Sequence, residues 1–442
     1  SGEALRTETE KFVAETQVGE DGTENRVYPY GAAFAHVVGY SNETAGKSGL
    51  ESIENSELLT SNAFFCGKNF STNLRMKKNH GDTVVTTLDA GLQQAAYNAL
   101  GENRGAIMVM EASTGKILAM VSGPSYDPNT IAQDWEALNA DSAYSPLLNR
   151  VTQGAYAPGS TFKIITMSAG LSEGVVSPND SFFCPGYKIV EDRRIHCHKR
   201  TGHGAENFVQ GAQNSCNPVF IEVGLRLGVE KFCDYFRNFG LMEKTGIDLP
   251  GEASTIMHKE ENIGEVELAT MAFGQSFQIT PIRLAATVSA LVNGGKMVTP
   301  HVATDVLDEE GNVVKHLNFP EKEGVLSEET SRTVREILES VVSEGSGKNA
   351  YLVGIFHRRK DGNFADTSAE RQPLYFLIPR LHPGGASDGA GALHYPQSAG
   401  RLLRRNDLRA GDPRYLFQCT SVSRYWTQFS GNLRIVSFAA LI

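Results

Sequence analysis

The sequence predicts a chain of mixed α and β structure, because a hairpin pattern is followed by a helix pattern. Two apolar runs, 105–110 and 117–121, flank the sequence Ser-Thr-Gly-Lys and are typical of a β-hairpin. Further along, the Pro-Gly pair at 158–159 is typical of a turn that opens a helix. The chain has 442 residues and is therefore long enough for two or more domains with a sizeable core.

Composition excludes several classes of protein. The formal net charge of −10 argues against nucleic acid as a partner. The sequence contains neither a glycine-rich phosphate loop nor a long repeat, and no run approaches the roughly 18 apolar residues of a membrane helix.

The helix pattern begins with Tyr-Ala-Pro-Gly-Ser-Thr-Phe-Lys, which makes Ser160 a candidate acyl-transfer nucleophile. Residues three apart share a face of the first helical turn, so Lys163 is expected beside the Ser160 hydroxyl. A lysine activates a serine only when it is neutral, and both burial and the positive end of a helix favour the neutral form.

The spacing Ser-x-x-Lys is weak evidence alone, since Ser113 and Lys116 repeat it. That copy lies in the predicted hairpin turn, and we interpret it as structural. We also expect Tyr156, Phe162 and Met167 to serve in core packing.

A second polar motif, Ser215-Cys216-Asn217, follows the first. Its hydroxyl can relay a proton and its amide can hold a substrate carbonyl. Standing alone, the tripeptide would indicate only a polar turn before an apolar run.

Together with further signatures, these motifs resemble the class B penicillin-binding proteins, the monofunctional transpeptidases that cross-link peptidoglycan. The resemblance extends from about residue 27 to about residue 354. Its signatures are Arg-Val-Tyr-Pro-Tyr-Gly at 26–31, His-Val-Val-Gly-Tyr at 36–40, Gly-Leu-Glu at 49–51, Thr-Thr-Leu-Asp at 86–89, Asp-Pro-Asn at 127–129, Gly-Ile-Asp-Leu-Pro-Gly-Glu at 246–252, Gly-Gln at 274–275, Thr-Pro at 280–281 and Asn-Gly-Gly at 293–295.

The resemblance implies an α/β (α+β) fold like that of the serine β-lactamases. We expect an antiparallel sheet flanked by helices, an all-helical subdomain between the first two motifs, and a partial β-rich pedestal of the dimerisation type. The implied domains are the pedestal at 1–79, the transpeptidase domain at 80–354 and an aberrant tail at 355–442.

The resemblance also implies the chemistry. Ser160 would be acylated by a D-Ala-D-Ala stem peptide and then deacylated by the amine of a neighbouring stem. Lys163 would take the serine proton, Ser215 would pass it to the leaving amine, and Asn217 would bind substrate. We expect β-lactams as covalent inhibitors, no cofactor and no catalytic metal, and a membrane glycosyltransferase of the division or elongation machinery as a partner.

Members of this family carry a third motif, Lys-Thr-Gly, on a strand beside the site. Lys244-Thr245-Gly246 runs into a Pro-Gly loop, so we interpret it as loop rather than as that motif. At the expected place the chain has Lys360-Asp361-Gly362. Lys360 and Gly362 align with the motif as substrate-binding remnants, although the Asp361 carboxylate between them would repel a substrate carboxylate.

The tail has an unusual composition, with one lysine, eleven arginines and six acidic residues in 355–442. Its apolar periodicity fades, so we expect the strands that close the sheet to be missing and a sheet edge to lie open. Permitted codons for residues 357–364, read after dropping one base, give Thr-Gly-Gly-Lys-Thr-Gly-Thr. We therefore interpret the tail as frameshifted near residues 354–357.

Of six cysteines, two lie in a cluster with histidines, which includes Cys184, Cys197 and His203. Three interpretations stay open: ordinary loop residues, a Cys184–Cys197 disulfide, or a structural zinc site formed by the three residues.

Two alternatives to an active transpeptidase follow. One is a frameshifted, inactive product that acts at most as a binding protein, and the other is a β-lactam sensor or β-lactamase of the same fold. The pedestal signatures argue against the second. The chain begins with Ser1 inside the pedestal, so we expect the family's N-terminal membrane anchor to be absent and the protein to act on the extracytoplasmic face.

Overall fold

The computed structural model describes residues 4–59 and 81–346, together with the backbone of two strands at 374–378 and 434–437. Helices and strands are interspersed, which confirms the mixed α and β prediction. The strands are β1 Ala4–Thr7, β2 Phe12–Val18, β3 Glu24–Val27, β4 Ser41–Asn42, β5 Gly46–Lys47, β6 Thr83–Thr86, β7 Gly105–Glu111, β8 Ile117–Gly123, β9 Ser181–Cys184, β10 Tyr187–Val190, β11 Arg193–His196, β12 Gly204–Asn207, β13 Met297–Val298, β14 Ala303–Leu307, β15 Val313–His316, β16 Glu321–Lys322, β17 Leu374–Ile378 and β18 Arg434–Ser437.

The α-helices are α1 Ala35–Val38, α2 Gly49–Ile53, α3 Asn55–Leu59, α4 Ala90–Leu100, α5 Ile131–Ala140, α6 Lys163–Ser172, α7 Phe208–Gln213, α8 Asn217–Asn238, α9 Glu265–Met271, α10 Pro281–Val292 and α11 Glu328–Ser343. Short 3-10 turns occur at Gly31–Ala33, Pro128–Thr130, Gly159–Phe162 and Glu260–Asn262. Within the described ranges, no helix combines the length and the apolarity that crossing a membrane requires.

The N-terminal sheet has the strand order β15-β14-β6-β1-β2-β3. Strand β1 pairs with β6 in parallel, and β14 pairs with β6 in the antiparallel sense. The sheet therefore includes strands on both sides of the boundary predicted at residue 79. The expected β-rich pedestal is completed by strands that come much later in the chain.

The second large sheet is built on the predicted hairpin, β7 and β8, and has the order β18-β17-β7-β8. One face of the hairpin packs on α4, where Val109 and Val121 meet Leu92. On the other face, Met108 and Met120 enter the main core. Burial of both faces explains why β7 is apolar at consecutive positions rather than at alternate ones.

Two expectations about this sheet were wrong. Strand β17 pairs antiparallel with β7, with Tyr375 opposite Glu111, so this edge of β7 is covered by the tail rather than open. Strand β18 pairs with β17 in parallel, which makes the sheet mixed rather than wholly antiparallel. The five residues of β17 are Leu-Tyr-Phe-Leu-Ile, a strand-forming run that the average composition of the tail conceals.

The predicted all-helical subdomain between the first two motifs was also wrong. Residues 173–214 contain the two-stranded ribbons β10-β11 and β9-β12, followed by the six-residue helix α7. The sequences Ser-Phe-Phe-Cys and Tyr-Lys-Ile-Val are rich in aromatic and β-branched residues, which favour strands.

An aromatic cluster supports the turn that precedes α6. Phe162 is fully buried, and its ring centroid lies 4.7 Å from that of Phe277 and 5.5 Å from that of Phe236. Met167 is buried as predicted, whereas Tyr156 is only half-buried and its backbone pairs with that of Ile279. The start of α6 is therefore fixed to the core from several directions.

Candidate active site

The predicted nucleophile lies at the start of a helix, as expected. Pro158 precedes a 3-10 turn at Gly159–Phe162, which continues directly into α6 at Lys163. Ser160 is half-buried, and the Lys163 ammonium donates a hydrogen bond of 3.2 Å to its Oγ. The three-residue spacing thus brings the two side chains together.

The second motif joins the first through the same amine. Lys163 Nζ donates to Ser215 Oγ at 3.0 Å, to the Ser215 carbonyl at 2.7 Å and to Asn217 Oδ1 at 2.8 Å. Ser160, Lys163, Ser215 and Asn217 therefore form one connected set, here called the catalytic group after the roles that the sequence predicts for it.

Ser215 adopts an unusual backbone conformation within this group. Its φ of 50° lies in the left-handed region, which non-glycine residues seldom occupy. The strain places both the side-chain hydroxyl and the carbonyl of one residue on the Lys163 amine. Residues in such conformations persist where the surrounding contacts fix them.

Burial controls the charge of Lys163. The residue is only 4% exposed, and desolvation lowers the pKa of its amine to about 7, against a weaker opposing effect of Cys197 and Cys216. A lysine with this pKa can release and accept a proton near neutrality. The amine can therefore serve as a base toward Ser160.

A glycine from a distant segment, Gly274, contacts the turn at Gly159–Phe162 that carries Ser160. The Gly159 amide donates to the Gly274 carbonyl at 2.8 Å. Gly274 has a φ of 84°, and a Cβ there would lie 2.0 Å from the Gly159 oxygen. In the sequence Gly274 was only part of a family signature, and the structure shows the close approach that requires glycine.

Two motifs that we interpreted as structural, Ser113–Lys116 and Lys244-Thr245-Gly246, lie in a hairpin turn and a loop as predicted. Glu111 and Lys116 close the hairpin turn by a backbone hydrogen bond, which places the Ser113–Lys116 copy in that turn. Thr245 lies in a loop, where its amide and hydroxyl donate to the Glu252 carboxylate at 2.9 Å each. The predicted remnants Lys360 and Gly362 fall outside the described residues.

The predicted cysteine and histidine cluster gains a member. Ligand atoms of Cys184, Cys197, His203 and Cys216, here called the cysteine group, all lie within 4.8 Å of one another. All four cysteines in the described part of the chain are free, so Cys184 and Cys197 are not joined. Sequence reasoning missed Cys216, although it is the middle residue of Ser215-Cys216-Asn217. These four residues could hold a metal ion.

Two protein-family models match the chain. The family model described as the penicillin binding protein transpeptidase domain matches residues 105–357. A second model, described as the penicillin binding protein A dimerisation domain, matches residues 6–84.

Curated relatives are similar over much of the chain. The stage V sporulation protein D of Bacillus subtilis is 37% identical over 380 residues, with 79% of this chain and 57% of the relative covered. The peptidoglycan D,D-transpeptidase MrdA of Acinetobacter baumannii is 30% identical over 325 residues, with 63% of this chain and 47% of the relative covered. The chain therefore spans about half the length of these relatives.

Solved structures share the fold. The D,D-transpeptidase domain of a peptidoglycan glycosyltransferase from Eggerthella lenta superposes with a TM-score of 0.72 at 29% identity, covering 79% of this chain and 84% of that one. The imipenem acyl-enzyme complex of penicillin-binding protein A from M. tuberculosis has a TM-score of 0.71 at 24% identity, with coverages of 79% and 83%. The likeness to these structures confirms the predicted fold class.

Proposed function

The chain belongs to the penicillin-binding protein transpeptidase family, and from that premise we propose that it is a D,D-transpeptidase acting through an acyl-Ser160 intermediate. The observation that carries the proposal is the set of contacts made by the Lys163 amine. It lies 3.2 Å from the hydroxyl to be activated and 3.0 Å from the hydroxyl that can pass the proton on.

Acylation would use these contacts in order. Neutral Lys163 takes the proton of Ser160 as Oγ attacks the carbonyl of the penultimate D-Ala of a stem peptide. Ser215 then passes the proton to the departing amine of the terminal D-Ala, and the C–N bond breaks. The amine of a second stem then attacks the acyl carbonyl and the C–Oγ bond breaks. One amine proton passes through Ser215 and Lys163 to Ser160 Oγ, which restores Ser160 and leaves the cross-link as an amide.

Substrate binding would draw on further groups. Asn217 holds the peptide by its amide, and the Ser160 backbone N–H supplies one donor to the developing oxyanion. Lys360 and Gly362 are the positions at which the substrate carboxylate would bind in a chain with an intact third motif. β-Lactams would acylate Ser160 in the same way, with the opened ring retained as the acyl group.

The location follows from the substrate. Peptidoglycan stem peptides lie outside the cytoplasmic membrane, so the proposed activity requires the extracytoplasmic face. A membrane glycosyltransferase would supply the glycan strands that carry these stems. The name of the Acinetobacter baumannii relative, a peptidoglycan D,D-transpeptidase, supports the same class of substrate.

A second candidate is an inactive frameshifted product, which the tail specifically favours. Arginine outnumbers lysine there eleven to one, and Asp361 stands where a neutral threonine would contact substrate. Sequencing of the coding DNA near codon 354 tests this directly. An overlapping frame that encodes Lys-Thr-Gly is expected, and its absence would remove the frameshift explanation.

Labelling with a fluorescent penicillin separates the two candidates. The present chain, its Ser160→Ala variant and a version with the tail in the shifted frame are labelled side by side. If only the shifted-frame version labels at Ser160, the present chain is the inactive product of a transpeptidase gene. If neither version labels although both are folded, the proposed transpeptidase function is wrong.

A further inference from the structure

The amine of Lys163 lies over an aromatic ring, which none of the proposed steps involves. Its Nζ is 5.5 Å from the ring centroid of Phe220. An ammonium within about 6 Å of such a centroid is attracted by the negative face of the ring. Lys163 is 4% exposed and Phe220 is 1% exposed, so water screens this attraction little.

Helix geometry places this ring. Helix α8 begins at Asn217, and residues three apart share a face of a helical turn, so Asn217 and Phe220 lie on the same side. Both contact the Lys163 amine, since Asn217 Oδ1 accepts its hydrogen bond at 2.8 Å. Ser160 and Lys163 have the same spacing at the start of α6. Two short-range pairs, one from each helix, therefore meet at one nitrogen.

The ring is held by its surroundings. Its centroid lies 5.9 Å from that of Phe208, which belongs to α7 and is fully buried. Among the described residues, Lys163 Nζ lies over the Phe220 ring and over no other. Phe208 therefore offers a control that is aromatic, buried and close by.

Proton transfer leaves a positive charge in this buried place. When Lys163 takes the proton of Ser160, the oxygens around the ammonium are the two serine hydroxyls, the Ser215 carbonyl and the Asn217 amide oxygen. In the part of the chain that the structure describes, no carboxylate forms an ion pair with this amine. The new charge therefore has to be stabilised by dipoles and by the ring.

An aromatic ring suits a base that must lose its charge again. A carboxylate beside a lysine favours the ammonium strongly and would keep it charged near neutrality. The ring is a weaker partner, and desolvation lowers the pKa of the amine to about 7. Cys197 and Cys216, the titratable groups nearby, oppose that desolvation only weakly. The amine can therefore take up a proton in one step and release it in the next.

We propose that Phe220 is a positioning residue, which holds the Lys163 amine between the two serine hydroxyls and stabilises the ammonium that forms as Ser160 gives up its proton. This inference rests on the proposed function, because it concerns the same acylation step. The proton moves from Ser160 Oγ to Lys163 Nζ as before, and the ring lowers the free energy of the state in which Nζ carries it.

The electronic character of the ring can be varied with little change in its shape. Phe220 is replaced by mono-, di- and trifluorophenylalanine, which withdraw electrons from the ring face, and the same series at Phe208 is the control. Penicillin acylation of the present chain and of the shifted-frame version is measured at about pH 8.5, where the Lys163 amine is mostly neutral. We expect the rate to fall stepwise by roughly threefold to tenfold for the Phe220 series, and to stay within about twofold for the Phe208 series.

The placement of the amine is tested separately, without any reaction with penicillin. Lysine that is isotope-labelled at its ε carbon is followed by NMR in the present chain, and the Lys163 resonance is assigned by its loss in Lys163→Met. The ring should shift the attached protons upfield, and Phe220→Leu should return them toward the ordinary lysine position. Phe208→Leu should leave them unchanged, and denaturant unfolding shows whether both leucine variants are folded.

Three results would overturn the inference. They are a Lys163 resonance that Phe220→Leu leaves unchanged, acylation rates that are equal across the Phe220 series, and equal falls in the two series, which would indicate packing alone. A ring-dependent resonance in a folded protein that penicillin does not acylate would instead contradict the proposed function, and with it the role of the ring in acylation.

Discussion

The catalytic group and the cysteine group share the tripeptide Ser215-Cys216-Asn217, yet they are encoded differently. Ser160 and Lys163 are three residues apart in one helical turn, so their contact follows from local geometry. The members of the cysteine group come from strand β9, the loop between β11 and β12, and the start of α8. Local pairs can be recognised in a sequence, whereas a set that is assembled from separate segments depends on tertiary folding.

A second difference lies in what each group requires of its surroundings. The catalytic group depends on one buried amine whose charge is adjustable, because Lys163 is desolvated. The cysteine group depends on four side chains whose donor atoms all lie within 4.8 Å of one another. A change of one side chain should therefore affect reaction rate in the first group and local order in the second.

Replacement of Lys163, the proposed general base, should have the largest effect. Lys163→Met should lower the rate of penicillin acylation by about 10²–10⁴-fold, because the Ser160 proton loses its acceptor. The measurement is the second-order acylation rate of the shifted-frame version. Lys116→Met is the matched control, since Lys116 belongs to the other Ser-x-x-Lys copy and pairs with Glu8 at the surface. Equal losses in both variants would contradict the assignment.

The contact between Gly274 and Gly159 offers the next test. Gly274→Ala should reduce the free energy of unfolding because the new methyl collides with the Gly159 carbonyl. Gly294→Ala has a comparable left-handed backbone, with φ of 68°, and open space around the methyl. We expect the first variant to lose roughly 1–3 kcal/mol more than the second in denaturant unfolding. Equal losses would show that the close approach to Gly159 is unimportant.

The pH dependence of acylation should report the charge of Lys163. The reactive form is the neutral amine, and the pKa of this amine is lowered to about 7. The acylation rate should therefore rise with pH through about 7 and fall about tenfold per unit below it. Groups that face this amine are Ser160, Ser215 and Asn217, with Cys197 and Cys216 nearby. A rate that stays flat from pH 5 to 8 would show that another group is the base.

Sequence reasoning predicted the fold class, the hairpin, the nucleophile helix and the contact between Ser160 and Lys163. It also assigned Lys244-Thr245-Gly246 correctly to a loop. The fold class came from the family resemblance, whereas the hairpin, the nucleophile helix and the loop depend on short-range spacing and turn chemistry.

The sequence could not show which strands complete each sheet. Strands β14 and β15 join the N-terminal sheet across more than 200 residues, and β17 pairs with β7 from within the unusual tail. The ribbons at 181–207 were mistaken for a helical subdomain because the family resemblance was given more weight than local β propensity. Cys216 was missed as a member of the cysteine group because its partners lie in other segments.

Acylation mapped to a single residue is the direct test of the proposed acyl-Ser160 intermediate. The present chain and the shifted-frame version are incubated side by side with benzylpenicillin, digested and examined by mass spectrometry. We expect one added penicillin on the peptide that contains Ser160, and none after Ser160→Ala. A penicillin adduct on any other serine, or a folded protein with no adduct at all, would contradict it.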